Sequence, residues 1–590
     1  MGRIRWFPIL VAVAVMLAAF ATGKPDHTYQ ENDEVHVYAD KMSPGGNLYE
    51  TYSYKDAPGC PILAVDKSLT LGELLAGHST GVLQTNINFN RSLNSSMLCQ
   101  FKATDREAEV LKYYIKNNYS YELRIDGMPI WGAIGYVSSD HSEHIYLHRT
   151  FYIGIHNGHI VNVTLQTASP VKVTPNVVLI FTYSVIFEPS AVDYANRFST
   201  VFETPYTRSR TRLVSLINSV LIILFLSCAI LLIMTRTLRA DYARVEQETQ
   251  LGIDVLDRVD ESGWRCLYAD VFRVPRHTGL FCAVLGCGSQ LLVLAAFGIA
   301  MSTLSKNQIL MNRNLVAYTI LGYVFSAFVA GYVSGYQFMG CGMLAPPMAS
   351  KWIRAFHVAF MIAPVTYAVA FVPSTSAAIL CGSAQVPRLK GIVIVVLLWV
   401  FIAYPLCLAG VLCSRYVFRR TERRRNIPHV NQIPRLIPRP PRRMLAPCTL
   451  LLSSGALPFI SVFVELSFVF ASLWCYKFFH LYGFLAMTIA LYVGITACVS
   501  VTATFLLLST ENHHWKWMSI GFGASCSLYV LLYAVYFYIF KTAMHGLYMW
   551  VVYSSYCVMF ALFLSIVGGT VSYFAASFLV KKIYSQAKHD

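Results

Sequence analysis

Charge is scarce in this chain of 590 residues, and its scarcity argues against an ordinary soluble protein. Asp, Glu, Lys and Arg make up 13% of the sequence and hydrophobic residues 55%, whereas about 25% of a typical soluble domain is charged. Acidic residues are the scarcer kind, with 31 against 47 basic ones. The excess arginines lie in short segments beside long apolar runs, which is typical of membrane topology and argues against a nucleic-acid partner.

Motifs for catalysis and metal binding are also lacking. The 15 cysteines form no CxxC pair or zinc-ligand spacing. No nucleophile elbow, Walker loop or HExxH motif stands in a suitable context. The sequence therefore predicts no catalytic residue, no cofactor and no metal, and we expect that the protein is not an enzyme.

Long apolar runs are abundant after residue 206. A hydrocarbon core about 30 Å thick needs roughly 20 apolar residues of helix to cross it. Nine stretches qualify, at 213–235, 279–302, 314–337, 353–373, 391–413, 449–474, 482–508, 519–540 and 548–580. The sequence predicts a polytopic α-helical membrane protein with nine transmembrane helices over residues 206–590.

The first 23 residues have the pattern of a cleavable signal peptide. Arg3 and Arg5 precede the apolar run 6–20, and small residues follow up to Gly23. A retained signal anchor is the alternative. Cleavage near Gly23 would send residues 24–205 into the secretory lumen.

Residues 24–205 have the pattern of a luminal β-rich domain of sandwich type. Asn157-Gly158 separates two alternating runs and predicts a hairpin, because both positions can take a positive φ. Predicted strands cover 34–38, 121–125, 145–155, 159–165 and 177–187, with a helix near 105–117.

Modification sites agree with a luminal location. Cys60 and Cys99 are the only cysteines of this domain and are a candidate disulfide in an oxidising compartment. None of the N-x-S/T sequons follows residue 213. The candidate N-glycosylation sites are Asn90, Asn94, Asn118 and Asn162.

Three neighbouring histidines raise the alternative of a metal site. His141, His144 and His148 mix odd and even spacings, so one strand cannot present all three on one face. Surface histidines are the favoured interpretation.

The distribution of Arg predicts the orientation of the membrane helices. Arginines are concentrated in 236–276 and 415–443, which lie on the cytosolic side of a nine-helix chain that starts in the lumen. The C-terminal tail 581–590 is then cytosolic as well. The Pro-rich segment 427–447 separates five helices from four, and its arginines either fix the topology, which is favoured, or bind anionic lipids.

Ionisable residues inside the apolar stretches are candidate functional residues. Glu465 lies deep in the sixth stretch, where a carboxylate is costly and by default suggests a functional site. A protonated or hydrogen-bonded structural carboxyl is the alternative, and Asn218 in the first stretch is a weaker candidate. Between the seventh and eighth stretches, Trp515 and Trp517 favour an interfacial anchor over a metal site.

Several motifs give the chain a family resemblance. Those along the whole chain include Gly263-Trp264-Arg265, Asp270-Val271-Phe272-Arg273, Asn431-Gln432-Ile433-Pro434-Arg435, Gly455-Ala456-Leu457-Pro458-Phe459 and Trp515-Lys516-Trp517. With these motifs the chain resembles the nonaspanins, the transmembrane-nine superfamily. It departs from their pattern at Arg212-Leu213 and Leu380-Cys381.

The resemblance implies residence in Golgi and endosomal membranes and a role in sorting membrane-protein cargo, in adhesion or in phagocytosis. In this family a terminal Lys-x-Asp is bound by the COPI coat, and Lys588-His589-Asp590 matches that signal. The implied partners are therefore the bilayer, the coat and transmembrane cargo. An ion- or solute-coupled transporter that uses Glu465 is the alternative function, although no internal repeat of the kind found in transporters is visible.

Overall fold

A computed structural model covers the chain, and its description applies to the following residues. They are 28–194 apart from 46, 48, 65–70, 76 and 78–80; 197; scattered helical residues between 220 and 246; and 264–586 apart from 269, 305–307, 345–351, 423–429, 431–432, 439–444, 475–480 and 543. The predicted signal peptide, most of the first predicted helix, Asn218, Lys588 and Asp590 lie outside these residues.

The chain divides into two compact units. The first combines residues 1–207 with 301–317 and 378–392, and the second contains the remaining residues. The sequence predicts the first unit as a continuous domain, and the two added segments come from between predicted membrane helices.

The described strands of the first unit form two sheets. The first sheet has the order β3-β4-β1-β6-β7, with β2 also paired to β1, and the second has the order β10-β9-β11-β5, with β8 paired to β9. Strands β9 and β11 run parallel, and the other pairs are antiparallel. The strands are β1 Val37–Ser43, β2 Tyr52–Ser53, β3 Ile62–Ala64, β4 Gly81–Leu83, β5 Leu93–Lys102, β6 Ser120–Ile125, β7 Met128–Ala133, β8 Gly135–Val137, β9 Glu143–His156, β10 His159–Lys172 and β11 Val178–Pro189.

Apolar side chains from both sheets share one core, as the sandwich prediction requires. Val37 and Leu123 of the first sheet are in the same cluster as Phe151, Ile153 and Val185 of the second, and all are at most 1% exposed. Since alternate residues of a strand point to opposite faces, this cluster lies between the sheets.

The hairpin at Asn157-Gly158 forms where the sequence predicts it. His156 pairs with His159, and the two turn residues have φ of 49° and 76°. Positive φ at both positions matches the twist of the flanking strands. The helix predicted near 105–117 is also present, as α2 Asp105–Lys116, and Thr104 caps its N-terminus together with Glu107.

The strand predictions are incomplete and partly wrong in their bounds. The first predicted strand, 34–38, begins instead at Val37 and continues to Ser43, while Glu34 forms only an isolated bridge to Asn88. Strand β10 continues past the predicted end at 165 to Lys172. Strand β5 was not predicted, because its polar residues, which include the Asn94 sequon, do not alternate clearly with apolar ones. The short strands β2, β3, β4, β7 and β8 were not predicted either.

Segment 383–388 of the first unit is hydrogen-bonded to the β-rich part of that unit. Ser383 Oγ and the Ala384 N–H both donate to Thr51 O, at 3.0 and 2.8 Å. Gln385 Nε2 donates to Tyr49 O at 2.6 Å, and the Arg388 N–H donates to Leu74 O at 2.9 Å. These contacts join residues more than 300 positions apart, so the sequence gives no local signal for them.

Eight helices in the described part of the chain are long and apolar enough to cross a membrane. They correspond to the second to ninth predicted stretches. Two of the spans are each divided into two helices: α6 and α7 form the span Leu389–Arg420, and α10 and α11 form the span Trp515–Lys541. After α1 Leu71–Leu75 and α2, the helices are α3 Thr278–Leu304, α4 Gln308–Leu344, α5 Trp352–Leu380, α6 Leu389–Leu398, α7 Tyr404–Glu422, α8 Pro447–Trp474, α9 Leu481–Ser509, α10 Trp515–Ala524, α11 Cys526–Lys541 and α12 Leu547–Gln586.

Some helices exceed their predicted lengths. Helix α5 continues past 373 to Leu380, and α12 continues past 580 to Gln586, so most of the predicted tail 581–590 is helical. A π-helical turn at Trp399–Ala403 joins α6 and α7. Pro405 follows this turn and cannot donate the backbone hydrogen bond of a regular α-helix, which explains the irregular turn.

Helices α8 to α12 pack into one group, which we call the C-terminal bundle. Helix α8 contacts α9, α10 and α11, and α12 contacts α9, α10 and α11. Gly568 of α12 lies against the Tyr492 hydroxyl of α9 and the Gly523 carbonyl of α10, so a side chain there has no room. Small residues allow this close approach of helix backbones, as is common in membranes.

Candidate functional site

Three distant segments meet at one end of the C-terminal bundle. We call them together the cap, which consists of residues 264–277, residues 511–517 and Tyr584 near the end of α12. Trp264, Leu267 and Val271 share an apolar cluster with Trp515 and Tyr584. The same cluster includes Phe505 of α9 and Ala576 of α12, so the cap packs directly onto the ends of the bundle helices.

Side chains of 515–517 donate to the backbone of 271–276. Trp515 Nε1 donates to Val271 O at 2.9 Å, and Trp517 Nε1 donates to Arg276 O at 2.7 Å. Lys516 Nζ donates to Arg273 O at 2.9 Å and to Phe272 O at 3.3 Å. The side chains of 515–517 therefore donate hydrogen bonds to backbone carbonyls of 271–276. These carbonyls need such donors because the segment forms no regular helix or strand.

The end of α12 is held by the same irregular segment. The Tyr584 hydroxyl donates to Trp264 O at 2.6 Å, and the two rings meet edge to face with centroids 5.8 Å apart. Tyr584 is 2% exposed. The last turns of the final helix are therefore fixed in the cap.

A buried carboxylate organises the polar part of the cap. Asp270 accepts from Arg273 Nη2 at 2.6 Å and from Nε at 3.1 Å, and its other oxygen accepts from the Arg435 N–H at 3.3 Å. The Arg435 guanidinium in turn lies 3.5 Å from Glu511. These hydrogen bonds and the ion pair with Arg273 offset part of the cost of burying the carboxylate.

Two adjacent histidines lie in the cap with their rings 4.2 Å apart. Burial lowers the pKa of His513; His514 and Arg273 lower it further, and Asp270 acts in the opposite direction. Burial also lowers the pKa of His514, and Arg276 adds to the effect. Both rings therefore favour the neutral form at neutral pH.

The interfacial-anchor interpretation is wrong for Trp515. An anchor exposes its ring to the lipid headgroups, whereas Trp515 is 2% exposed and its N–H is bonded inside the protein. The sequence pattern thus identified 515–517 as a candidate segment but did not predict that Trp515 binds the backbone of Val271.

Glu465 is fully buried in the middle of α8. It shares the buried face of the helix with Ser461, Val462, Leu466 and Val469, which follow the helical period. This face packs into the C-terminal bundle rather than toward lipid. Asn218, the other predicted polar residue of the membrane, lies outside the described residues, so the structure does not bring the two together.

A row of hydroxyl groups follows one face of α9 in the same bundle. The row consists of Thr488, Tyr492, Thr496, Ser500 and Thr504, all buried and spaced by four residues. The Tyr492 hydroxyl donates to Leu564 O at 3.4 Å, and Ser500 Oγ donates to Ser572 O at 3.3 Å. These bonds direct the row toward α12, and hydropathy alone gave no sign of it.

Cys60 and Cys99, the candidate pair from the sequence, are joined by a disulfide in the structure, with Cα atoms 5.7 Å apart. The bond links the segment before β3 to β5, and therefore one sheet to the other. Among the predicted glycosylation sites, Asn90, Asn94 and Asn118 are exposed, and Asn162 of β10 is half-buried.

The three histidines near β9 are placed apart. His141 lies in a turn with φ of 56°, and His144 stacks on Tyr136. His148 is hydrogen-bonded to Thr182 at 2.8 Å and to Ser184 at 3.0 Å. No cluster of three metal-binding side chains occurs within the residues that the structure describes.

A family model described as "Endomembrane protein 70" matches residues 51–547. "Transmembrane 9 superfamily member 1" of Bos taurus is 28% identical, covering 99% of this chain and 98% of its own. The chain belongs to the transmembrane 9 superfamily. It is a multi-pass membrane protein and contacts the lipid bilayer.

Other members of the superfamily are similar over comparable lengths. "Transmembrane 9 superfamily member 4" of Arabidopsis thaliana is 26% identical over 95% of both chains. "Putative phagocytic receptor 1b" of Dictyostelium discoideum is 26% identical over 98% of both chains. No solved structure matches this chain.

Four of the motifs that carry the transmembrane 9 resemblance lie in the cap or are hydrogen-bonded to it, whereas the motif 455–459 lies in α8. Trp264, Asp270, Arg273 and Arg435 come from three separate motifs of the sequence, and Trp515-Lys516-Trp517 is a fourth. The hydrogen bonds described above bring them together. In this transmembrane 9 protein, the most recognisable part of the sequence thus closes one end of the helix bundle.

Proposed function

We propose that this transmembrane 9 protein resides in Golgi and endosomal membranes, where it sorts and localises membrane-protein cargo without enzymatic chemistry. The observation that carries the proposal is the similarity over nearly the whole chain to transmembrane 9 proteins, in a family described as endomembrane. A relative named as a putative phagocytic receptor supports a wider role in adhesion or phagocytosis.

The proposed orientation places the N-terminal domain in the lumen and the cap in the cytosol. Segments 301–317 and 378–392, which the nine-helix prediction assigns to the lumen, belong to the same compact unit as that domain. The cap joins segments that the prediction assigns to the cytosol, from 264–277 to Tyr584. Both sets of contacts support the proposed orientation, and they are independent of the distribution of Arg on which the sequence prediction rests.

The proposed cargo contact is a poorly packed membrane helix. Only 11% of the most apolar window of Leu389–Arg420 is buried by the protein. Phe401 in its π-helical turn is 70% exposed. Such a helix offers surface for another transmembrane segment, and association would depend on close packing and interhelical hydrogen bonds.

Retrieval is proposed to use Lys588 and Asp590 as the signal for the COPI coat. The test compares the steady-state location of the full chain with that of Lys588→Ala and Asp590→Ala, with a tag in the N-terminal domain. His589→Ala is the matched control, since it changes the unspecified position of the signal. We expect the two signal variants to move toward endosomes, lysosomes or the surface, and the control to stay.

An unchanged location of both signal variants would refute retrieval by this motif. Relocation of the His589→Ala control as well would show that any change in the tail has the same effect. Cargo delivery is then measured in the same cells, since the sorting proposal also requires that cargo follow the mislocated protein.

The second candidate function is ion- or solute-coupled transport, and the burial of Glu465 is the observation that favours it. A carboxylate deep in a membrane helix is a common carrier of a proton or cation. Glu465→Gln removes the charge at nearly constant shape, and Glu246→Gln, at an exposed helical residue, is the matched control.

Flux across vesicles and cargo delivery in cells separate the two candidates. If the parent chain supports flux and Glu465→Gln abolishes it while delivery is normal, transport is the function. If the parent shows no flux and Glu465→Gln impairs delivery, the carboxylate serves sorting or the structure of the bundle.

A further inference from the structure

A cavity of about 30 Å³ lies between the two sheets of the N-terminal unit. Its lining includes Tyr121 from β6, Arg149 from β9 and Phe181 from β11, with Tyr54 and Cys60 from the connection between β2 and β3. A buried water needs about 10–15 Å³ on the same measure. The cavity therefore has room for two waters or for one group of two or three heavy atoms.

Arg149 brings a positive charge to the cavity, and no anionic partner for it lies among the described residues. The residue is 6% exposed, and its Nη2 donates to the Tyr54 hydroxyl at 3.1 Å. Its guanidinium carbon lies 4.5 Å from the ring centre of Tyr121 and 5.8 Å from that of Phe181. The described lining includes no Asp or Glu.

Several donors at the cavity have no acceptor. Nε and Nη1 of Arg149 and the hydroxyl of Tyr121 are buried and make no hydrogen bond within the described part of the chain. These two nitrogens carry three of the five N–H groups of a guanidinium. Unlike a buried Lys, an Arg does not escape the cost of burial by losing its proton.

Contact with aromatic faces offsets only part of that cost. Cation–π contacts, even when desolvated, contribute less than the cost of burying a charge without an ionic partner. An anion in the cavity would accept the unused N–H groups and balance the charge. The aromatic walls favour a small, singly charged group over a strongly hydrated dianion.

We propose that the Arg149 cavity binds a small monovalent anion, with chloride or a short carboxylate as the chemical class. Arg149 supplies the charge and the N–H donors, and the Tyr121 hydroxyl supplies a further donor. This site is separate from Glu465, from the cap and from the C-terminal signal, so it does not depend on the proposed function.

Residues 54–60 form one wall of the cavity, which we call the cover, and separate Arg149 from solvent. The cover runs from Tyr54, which holds the Arg149 guanidinium, to Cys60, whose disulfide partner Cys99 lies on β5. The segment is thus fastened at both ends to the second sheet. An anion that pairs with Arg149 is expected to slow the opening of this cover.

The test measures hydrogen exchange of the full chain in lipid nanodiscs at constant ionic strength. Chloride or formate replaces gluconate, whose carboxylate carries a chain too large for the cavity. We expect exchange of peptides covering 54–61 to slow by about tenfold at an anion concentration ten times Kd, because the open state loses the anion. The chloride and formate arms distinguish a halide site from a carboxylate site.

Two variants establish that the effect is local. Arg149→Met should abolish the anion dependence, whereas Arg106→Met, which removes a charge from the exposed face of α2, should retain it. Tyr121→Phe removes one donor at constant shape and should weaken the apparent affinity. This variant keeps the proposal testable if Arg149→Met does not fold.

Exchange at 54–61 that is the same in chloride, formate and gluconate would overturn the proposal and leave water in the cavity. Equal loss of the effect in Arg106→Met would also overturn it, because that result indicates general screening of charge. Saturation by one anion, lost in Arg149→Met and weakened in Tyr121→Phe, would establish the site.

Discussion

Two membrane spans are buried to very different extents. The most apolar stretch of Leu485–Ser509, in α9, has a mean hydropathy of 2.0 and is 61% buried by the protein, whereas that of Leu389–Arg420 has a mean hydropathy of 2.8 and is 11% buried. The more apolar span is thus the more exposed one. In a membrane, hydropathy marks contact with lipid, and burial within the protein is marked by small and polar residues instead.

The cause of this difference lies in the side chains. Helix α9 carries a row of buried hydroxyl groups and packs against Gly568 of α12. The end of α12 is in turn fixed in the cap by Tyr584. The exposed span carries large aliphatic and aromatic side chains, such as Val393 and Phe401. Helix α9 is therefore stabilised by contacts within the protein, whereas most side chains of Leu389–Arg420 are exposed on its surface.

The largest expected effect is that of Trp515→Ala in the cap. The change removes a buried ring and the hydrogen bond to Val271, and such truncations cost about 3–5 kcal/mol. Thermal unfolding of the purified chain in nanodiscs should show a clear loss of stability. Trp131→Ala, at a ring that is 44% exposed in the first unit, is the control, and an equal loss there would contradict the prediction.

Gly568→Val should have the next largest effect. Its side chain would meet the Gly523 carbonyl and the Tyr492 hydroxyl, and overpacking of this kind costs about 1–3 kcal/mol, or more when backbone must move. Gly494→Val is the matched control in α9, since nothing lies within 4 Å of a side chain added there. Yield and thermal stability of both variants would be compared; similar values would show that the bundle is not closely packed.

Acidification should loosen the cap. The pKa of His513 and of His514 is lowered in the folded state, so below the ordinary value of about 6.5 the unfolded chain binds more protons than the folded one. The contribution to stability is present above that pH and is lost as pH falls toward the folded pKa values. Hydrogen exchange at 264–277, expressed as protection relative to the intrinsic exchange rate at each pH, should show less protection at pH 5.5 than at pH 7.5.

The double variant His513→Gln, His514→Gln serves to check this assignment. It should flatten the pH dependence at 264–277, while His141→Gln in an exposed turn should leave it as in the parent. A steep dependence that survives the double variant would assign the effect to groups other than these two histidines.

The smallest effect on stability is expected for Phe401→Ala. A side chain that is 70% exposed contributes little packing within the chain, and surface changes are usually within about 0.5 kcal/mol. Thermal stability should therefore be unchanged, although cargo delivery should fall if this helix is the cargo contact. A large loss of stability would remove the contrast between the two spans.

The features predicted from sequence depend on neighbouring residues. Asn157-Gly158 specifies its own turn, Thr104 and Glu107 start α2, and eight apolar runs appear as helices within the described residues. The cap could not be predicted, since its bonds join Trp515 to Val271 and Tyr584 to Trp264 across 244 and 320 residues. Arg149 also lacks a local signal, because its surroundings come from strands that are adjacent only after folding.

The bond between Tyr584 and Trp264 joins the two ends of the described membrane part of the chain. Trp264 precedes α3, the first of the eight described spans, and Tyr584 lies near the end of α12, the last of them. The chain from one residue to the other is therefore a loop closed by a side chain, and the cap cannot release the end of α12 without breaking that closure.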